Sequence, residues 1–155
     1  MRKARAKKKA LLPDPKFNDP MISRFVNTLM LDGKKSVAYR IVYDTFDKVS
    51  DMTKESGHEV WKKALENIGP NVEVRSRRIG GATFQIPSEI RPTRRTFMAM
   101  TWMIKYAFER NGKSMADKLA AEIVAASKGE GAAFKKKEDT HKMAEANKAF
   151  AHFRV

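Results

Sequence analysis

Six arginines stand at positions 75, 77, 78, 91, 94 and 95, with no lysine and a single acid, Glu89, between the first and the last. A planar guanidinium offers a fork of donors that matches two phosphate oxygens and can stack on a nucleobase, whereas an ammonium offers a point charge. An all-arginine run therefore points to phosphate recognition on a polyanion more than to solubility, which lysine would serve as well. Other polar groupings carry less chemistry. Gly112-Lys113-Ser114 echoes a phosphate-binding loop, but Ala107 stands where its first glycine belongs and a helix precedes it instead of a strand. A single backbone phosphate at a helix N-terminus is the most that segment offers. Glu138, His141 and Glu145 can share one helical face, yet no second histidine lies near, so no metal is expected. Nucleophile elbows, zinc-ligand spacings and paired catalytic carboxylates are absent from the sequence, so neither an enzyme nor a cofactor is expected.

The composition agrees with a polyanionic partner. The 155 residues include 32 Lys+Arg against 18 Asp+Glu, a net charge of +14, which favours nucleic acid first and an anionic membrane second. There are no cysteines and hence no disulfides. The basic start runs through Leu11-Leu12 straight into Pro13-Asp14-Pro15, without a signal-type apolar core. The longest apolar run, Met98 to Ile104, contains Thr101 and stops at Lys105, so no membrane span is expected.

The elements that must hold the arginines can be read from periodicity. Met1 to Ala10, with six basic residues and no acid, should be a disordered arm in isolation, within an extended tail over 1–12. Asp19-Pro20 opens a helix that Gly33 stops, with Ile22, Phe25, Val26 and Leu29 as its buried stripe. A second helix, Lys35 to about Met52, should bury Ala38, Ile41, Val42, Thr45, Phe46 and Val49. A third, Gly57 to Ile68, should bury Val60, Trp61, Ala64, Leu65 and Ile68.

Residues 72–90 then read as a two-stranded ribbon broken at Gly80-Gly81. A tight two-residue turn would pair Val74 with Pro87 and scatter apolar residues over both faces. A three-residue loop, Gly80-Gly81-Ala82, instead puts Val72, Val74, Phe84, Ile86 and Ile90 on one face with Arg78. Arg75, Arg77, Thr83, Gln85 and both glutamates then share the other, and this is the register expected. Eight residues a side at roughly 3.3 Å each project an arm of about 26 Å, packed only at its base.

A long helix from about Thr93 to Asn111 should set Phe97, Met100, Ile104, Ala107 and Phe108 on its core side. Arg91, Arg95, Trp102 and Lys105 fall together on another. Trp102 is there either a second packing surface or a platform for a base. Ser114 with Asp117 makes a capping box for a fifth helix burying Met115, Leu119, Ile123 and Val124. A sixth runs from Ala132 to about Asn147, and Lys148 to Val155 follows without clear periodicity. Asp44 to Glu66 holds six acids against four lysines, so the second and third helices should turn away from a polyanion. The whole is a mainly α, bundle-like single domain over 1–155 with one β-arm.

Long strings of this chain resemble the bacterial-type small-subunit ribosomal protein "S seven" family. They are Leu12-Pro-Asp-Pro15, Asp32-Gly-Lys-Lys-Ser36, the stretch from Glu73 to Phe84, and that from Lys137 to His152. The resemblance implies six helices with a β-ribbon between the third and fourth. It implies primary binding to the 3′ domain of small-subunit ribosomal RNA, starting assembly of the subunit head in the cytoplasmic ribosome. It places the ribbon near the messenger exit channel and exit-site transfer RNA, with head and platform proteins as neighbours. It also implies repression of translation of its own operon. By position, the family's RNA contacts fall on Arg2, Lys3, Arg5, Lys7, Lys8 and Lys9, on Lys34 and Lys35, and on Arg75, Arg77, Arg78, Arg91, Arg94 and Arg95. They continue at Trp102, at Lys113, Ser114 and Met115, and at His141 and Lys142. The absence of a transit-type leader favours a bacterial source.

Two rival readings fit less well. A DNA-bending β-arm wedges an apolar side chain between base steps, and a Gly80-Gly81 tip has none. A membrane-surface binder gathers its charge on one strongly amphipathic helix, and here the charge is spread.

Overall fold

The computed structural model describes residues 10–153. Helices α1 (Pro20–Leu29), α2 (Lys35–Thr53) and α3 (Gly57–Ile68) are followed by strands β1 (Val72–Ile79) and β2 (Ala82–Glu89). Helices α4 (Pro92–Glu109), α5 (Met115–Ser127) and α6 (Ala132–Ala146) come next, and a 3-10 helix (Lys148–Phe153) closes the order. The chain divides within α2, between Arg40 and Ile41, into two compact units.

In the first unit, the Asp14 carboxylate accepts the backbone N–H groups of Lys16 and Phe17 at 3.0 and 2.9 Å, a local turn that competes with helix and delays its start. Asp19 then caps α1 by accepting from Met21 N at 2.8 Å, with Pro20 in the first turn. Ile22, Phe25 and Val26 are buried as expected; Leu29 is only half-buried. Helix α1 ends at Leu29, ahead of the glycine stop.

In the second unit, α3, α4 and α5 pack on one another and α6 packs on all three. The stripe of α3 is buried throughout, with Trp61 against Phe46 at 5.6 Å between ring centroids. The acids of α2 and α3 (Asp44, Asp47, Asp51, Glu59 and Glu66), and Glu55 between the two helices, are all solvent-exposed.

Two expectations are corrected here. The core side of α4 is Ala99, Met100, Met103 and Ala107, while Phe97 and Phe108 are 50% and 70% exposed. The reason lies in the facing helix, which buries Ala116 and Ala120. Small residues on both sides let helix axes approach closely, and counting only bulky apolar residues turns α4 by part of a turn. The same bias misplaced Met115 and Val124, which are half-buried.

The second correction is the ribbon's register. Ile79 pairs with Ala82 and Val74 with Pro87, so the loop is the two-residue turn Gly80-Gly81. Both glycines have positive φ, 55° and 89°. That backbone matches the twist of the flanking strands, whereas the apolar alternation that argued for a longer loop is satisfied otherwise. Arg75 faces Ile86 and Arg77 faces Phe84 across the strands, on the face shared with Glu73, while Arg78 lies on the other with Val74 and Thr83. Packing also reaches beyond the ribbon's base. Both strands touch α6, and β2 touches the 3-10 helix, whose Phe150 and Phe153 rings lie 5.2 and 5.5 Å from Phe84.

Candidate nucleic-acid interface

Alternation along β1 puts Glu73, Arg75 and Arg77 on one face, and the N-cap and first turn of α4 bring Arg91 and Arg94 beside them. Arg75, Arg77, Arg91 and Arg94 together line a groove of ≈ 680 Å³ that also has Ile86, Ser88, Glu89 and Phe153 in its walls. Glu73 organises it. Its side chain is 8% exposed; Arg75 Nε donates to Oε1 at 2.7 Å and Arg94 Nε to Oε2 at 2.9 Å. Burial pushes the Glu73 carboxyl up, but the hydrogen bonds of Arg75 and Arg94 outweigh it and hold it below the ordinary carboxylate range. Two guanidiniums against one carboxylate leave a positive excess, and both remain more than half exposed, 64% and 53%. Fixed but hydrated cations can meet a phosphate without first losing side-chain entropy. Arg77 Nη1 donates to the Phe153 carbonyl at 3.3 Å. Arg78 is exposed on the opposite face.

The other positions divide by what holds them. Arg95 donates from Nε to Gly69 O at 3.2 Å and from Nη2 to Glu66 O at 3.5 Å. It thus covers the carbonyl end of α3, where a cation is favoured by the helix dipole. Lys137 joins it there, donating to Asn67 O at 2.8 Å. His141 Nε2 accepts the Asn71 N–H at 3.1 Å; burial first, then the nearby Lys137 and Arg95 charges, hold this imidazole below its usual range and so neutral. Trp102 is half-buried along α4 and does not line the groove. Ser114 is engaged in the expected capping box, its Oγ donating to Asp117 Oδ2 at 2.7 Å and accepting from Asp117 N at 3.2 Å. Asp117, which also pairs with Lys48, places a carboxylate at that helix start and is held down to about 2, chiefly by the Lys48 and Ser114 hydrogen bonds. Lys113 and Lys142 are exposed and Met115 half-buried. In the first unit, Lys34 lies 3.6 Å from Asp32 and Lys35 sits over the Tyr39 ring at 5.8 Å. The basic positions Arg2, Lys3, Arg5, Lys7, Lys8 and Lys9 lie outside the described residues.

Sequence reasoning put Glu73 on the face of Arg75 and Arg77 but gave it no role in a groove, and it missed Ile86 and Phe153. The place of Glu73 was legible, since residues two apart on a strand share a face. Phe153 was not, because nothing in an aperiodic tail says which strand it will pack on.

Among the described residues, no group of three His, Asp or Glu is placed to hold a metal ion, and no helix is long and apolar enough to cross a membrane. Comparison with known proteins gives one answer. The family described as "Ribosomal protein S7p/S5e" matches residues 1–148. The protein named small ribosomal subunit protein uS7 of Cytophaga hutchinsonii is 64% identical over 154 residues, covering 99% of each chain. Its namesake of Christiangramia forsetii is 62% identical over 157 residues, again 99% of each, and that of Salinibacter ruber 62% over 142 residues, 91% of this chain and 90% of the relative. With a ribbon between the third and fourth of its helices and this degree of identity over its length, the chain belongs to the ribosomal protein S7p/S5e family, structural and non-enzymatic constituents of the small ribosomal subunit.

Proposed function

We propose that this chain is a primary binder of the 3′ domain of small-subunit ribosomal RNA and starts assembly of the subunit head. The observation that carries the reading is the groove at the ribbon's foot, where Arg75 and Arg94 are held by one buried carboxylate beside Arg77 and Arg91. Rigid guanidiniums borne by two different elements suit the shape of a folded backbone better than a sequence-reading helix would. The family's resemblance supports the finer placement. In that placement the ribbon lies near the messenger exit channel and exit-site transfer RNA, head and platform proteins are neighbours, and the protein represses its own operon by binding its messenger. The basic N-terminal positions and Lys34, Lys35, Arg78, Lys113 and Lys142 add phosphate contacts in this reading. The exposed acids of α2 and α3 turn to solvent or protein.

The test is chemical footprinting of small-subunit RNA by the intact protein and by the Arg75/Arg77/Arg78→Ala variant, with affinity measured against salt. Wild-type affinity should fall on the order of a thousandfold or more between 50 and 200 mM salt if about eight phosphates are neutralised. The variant should reduce the logarithmic salt slope by about two, at roughly 0.7 per lost contact. Its helical content should be kept, because Arg94 still answers Glu73. Unchanged protection and slope would remove the arm from the mechanism, and equal competition by duplex DNA would remove RNA selectivity.

A further inference from the structure

We propose that the groove is a subsite for one unpaired nucleotide, its base lying against Phe153 and Ile86 and its flanking phosphates on the arginines. This rests on the RNA-binding reading and goes beyond it, because it assigns shape and chemistry that a phosphate track does not need.

The volume is the first argument. A backbone track can be a flat strip of cations, whereas ≈ 680 Å³ falls in the range of pockets that enclose small ligands, about 300–1,000 Å³. The lining is the second. Ile86 is 5% exposed and forms an apolar wall, and Phe153 stands beside it half-buried. Neither attracts phosphate. Glu89, in the same wall, opposes phosphate outright, yet a carboxylate accepts well from a base amino group or a ribose hydroxyl. Ser88 also lines this groove, with its hydroxyl oxygen buried away from the opening. Cations at the rim, an aromatic and aliphatic wall, and a carboxylate are together what a nucleotide presents partners for.

Phe153 is also held in place. Its ring packs on Phe84 at 5.5 Å, its carbonyl accepts from Arg77 at 3.3 Å, and Phe150 buttresses the same Phe84 ring at 5.2 Å. The C-terminal 3-10 helix thereby sets an aromatic edge against the guanidiniums of β1. Unpaired bases stack on such rings without regard to sequence, at roughly five- to 150-fold in affinity per base.

Full-length protein is titrated by fluorescence anisotropy with a twelve-nucleotide oligoadenylate strand carrying one 2-aminopurine, and with a twelve-base-pair RNA duplex. Phe153→Ala and Phe153→Leu should each weaken the strand about tenfold, abolish quenching of the 2-aminopurine and leave the duplex nearly unchanged. Phe153→Trp should keep both the affinity and the quenching. Leucine preserves packing on Phe84 while removing the π face, so a leucine variant that binds the strand like wild type overturns the subsite. Equal losses on strand and duplex overturn it too. Wild-type protein that binds strand and duplex alike, with no quenching, refutes the subsite and leaves RNA binding standing; failure to bind either probe refutes the RNA reading itself.

Discussion

The arginines of α4 can only be aimed if α4 is fixed, and Glu122 is where that is decided. Its side chain is fully buried on α5. Oε1 accepts the Ala133 N–H at 2.9 Å and Oε2 accepts Arg110 Nε. Arg110 follows the end of α4, and Ala133 lies in the first turn of α6, whose N-cap is Gly131 with no side chain to offer. One carboxylate therefore caps α6 from a neighbouring helix and ties down the end of α4. Alanine at 122 removes the cap and thereby strands one buried N–H, a single loss of about 1–3 kcal/mol. The Arg110 side chain is 33% exposed and can rehydrate, so it adds little. A loss of about 2 kcal/mol, at roughly 2–4 °C per kcal/mol for a chain of this size, lowers Tm by about 6 °C. Glu122→Gln keeps the shape and one acceptor and should cost about half as much. Arg110→Ala should cost at least as much as Glu122→Ala, since it leaves a buried charge facing only an amide, a loss of about 3–5 kcal/mol. Urea and thermal unfolding followed by circular dichroism at pH 7 measure all three. A Glu122→Ala variant within 1 kcal/mol of wild type, or a harmless Arg110→Ala, would show that the carboxylate is not what joins these helices.

Two further outcomes follow from single contacts. His141 is held below its ordinary value of 6.5 and accepts a hydrogen bond from the residue just before β1; protonation would destroy that bond. The unfolded chain binds the proton more readily, so the stabilisation is present above about pH 6.5 and is lost as pH falls through and below it. Unfolding measured between pH 7.5 and 5 should show a steeper loss for wild type than for His141→Gln, and equal slopes would dismiss this histidine. Gly57 sits where an added Cβ would lie 2.2 Å from the Phe46 carbonyl oxygen, so Gly57→Ala must move backbone. It should cost on the order of 2–3 kcal/mol by overpacking, read as a lower urea midpoint at unchanged m-value; a neutral variant would mean that α2 and α3 are free to separate at this point.

What the amino-acid order determined alone was everything set by neighbours along the chain. Asp19-Pro20 starts a helix because cap and first-turn proline act locally, and Ser114 with Asp117 closes its box within one turn. The stripe of α3 is legible because bulky residues recur at the helical period. The arginine content of residues 75–95 and the excess of positive charge announced a polyanion before any fold was known. Tertiary structure decided what depends on who stands opposite. Alanines on α5 turned α4 away from Phe97 and Phe108, a choice that no single helix carries in its own periodicity. Two positive-φ glycines fixed the ribbon's register against the apolar pattern, and with it which arginines share a face. Arg95 caps a helix while Arg94 lines a groove, although they are adjacent in sequence, because successive helical residues point about 100° apart and meet different partners. The aromatic wall of that groove comes from a tail whose contacts are made more than 60 residues away in sequence, from Phe84 to Phe153. Such a pairing is written in the energy of the packed chain, not in any local pattern of residues.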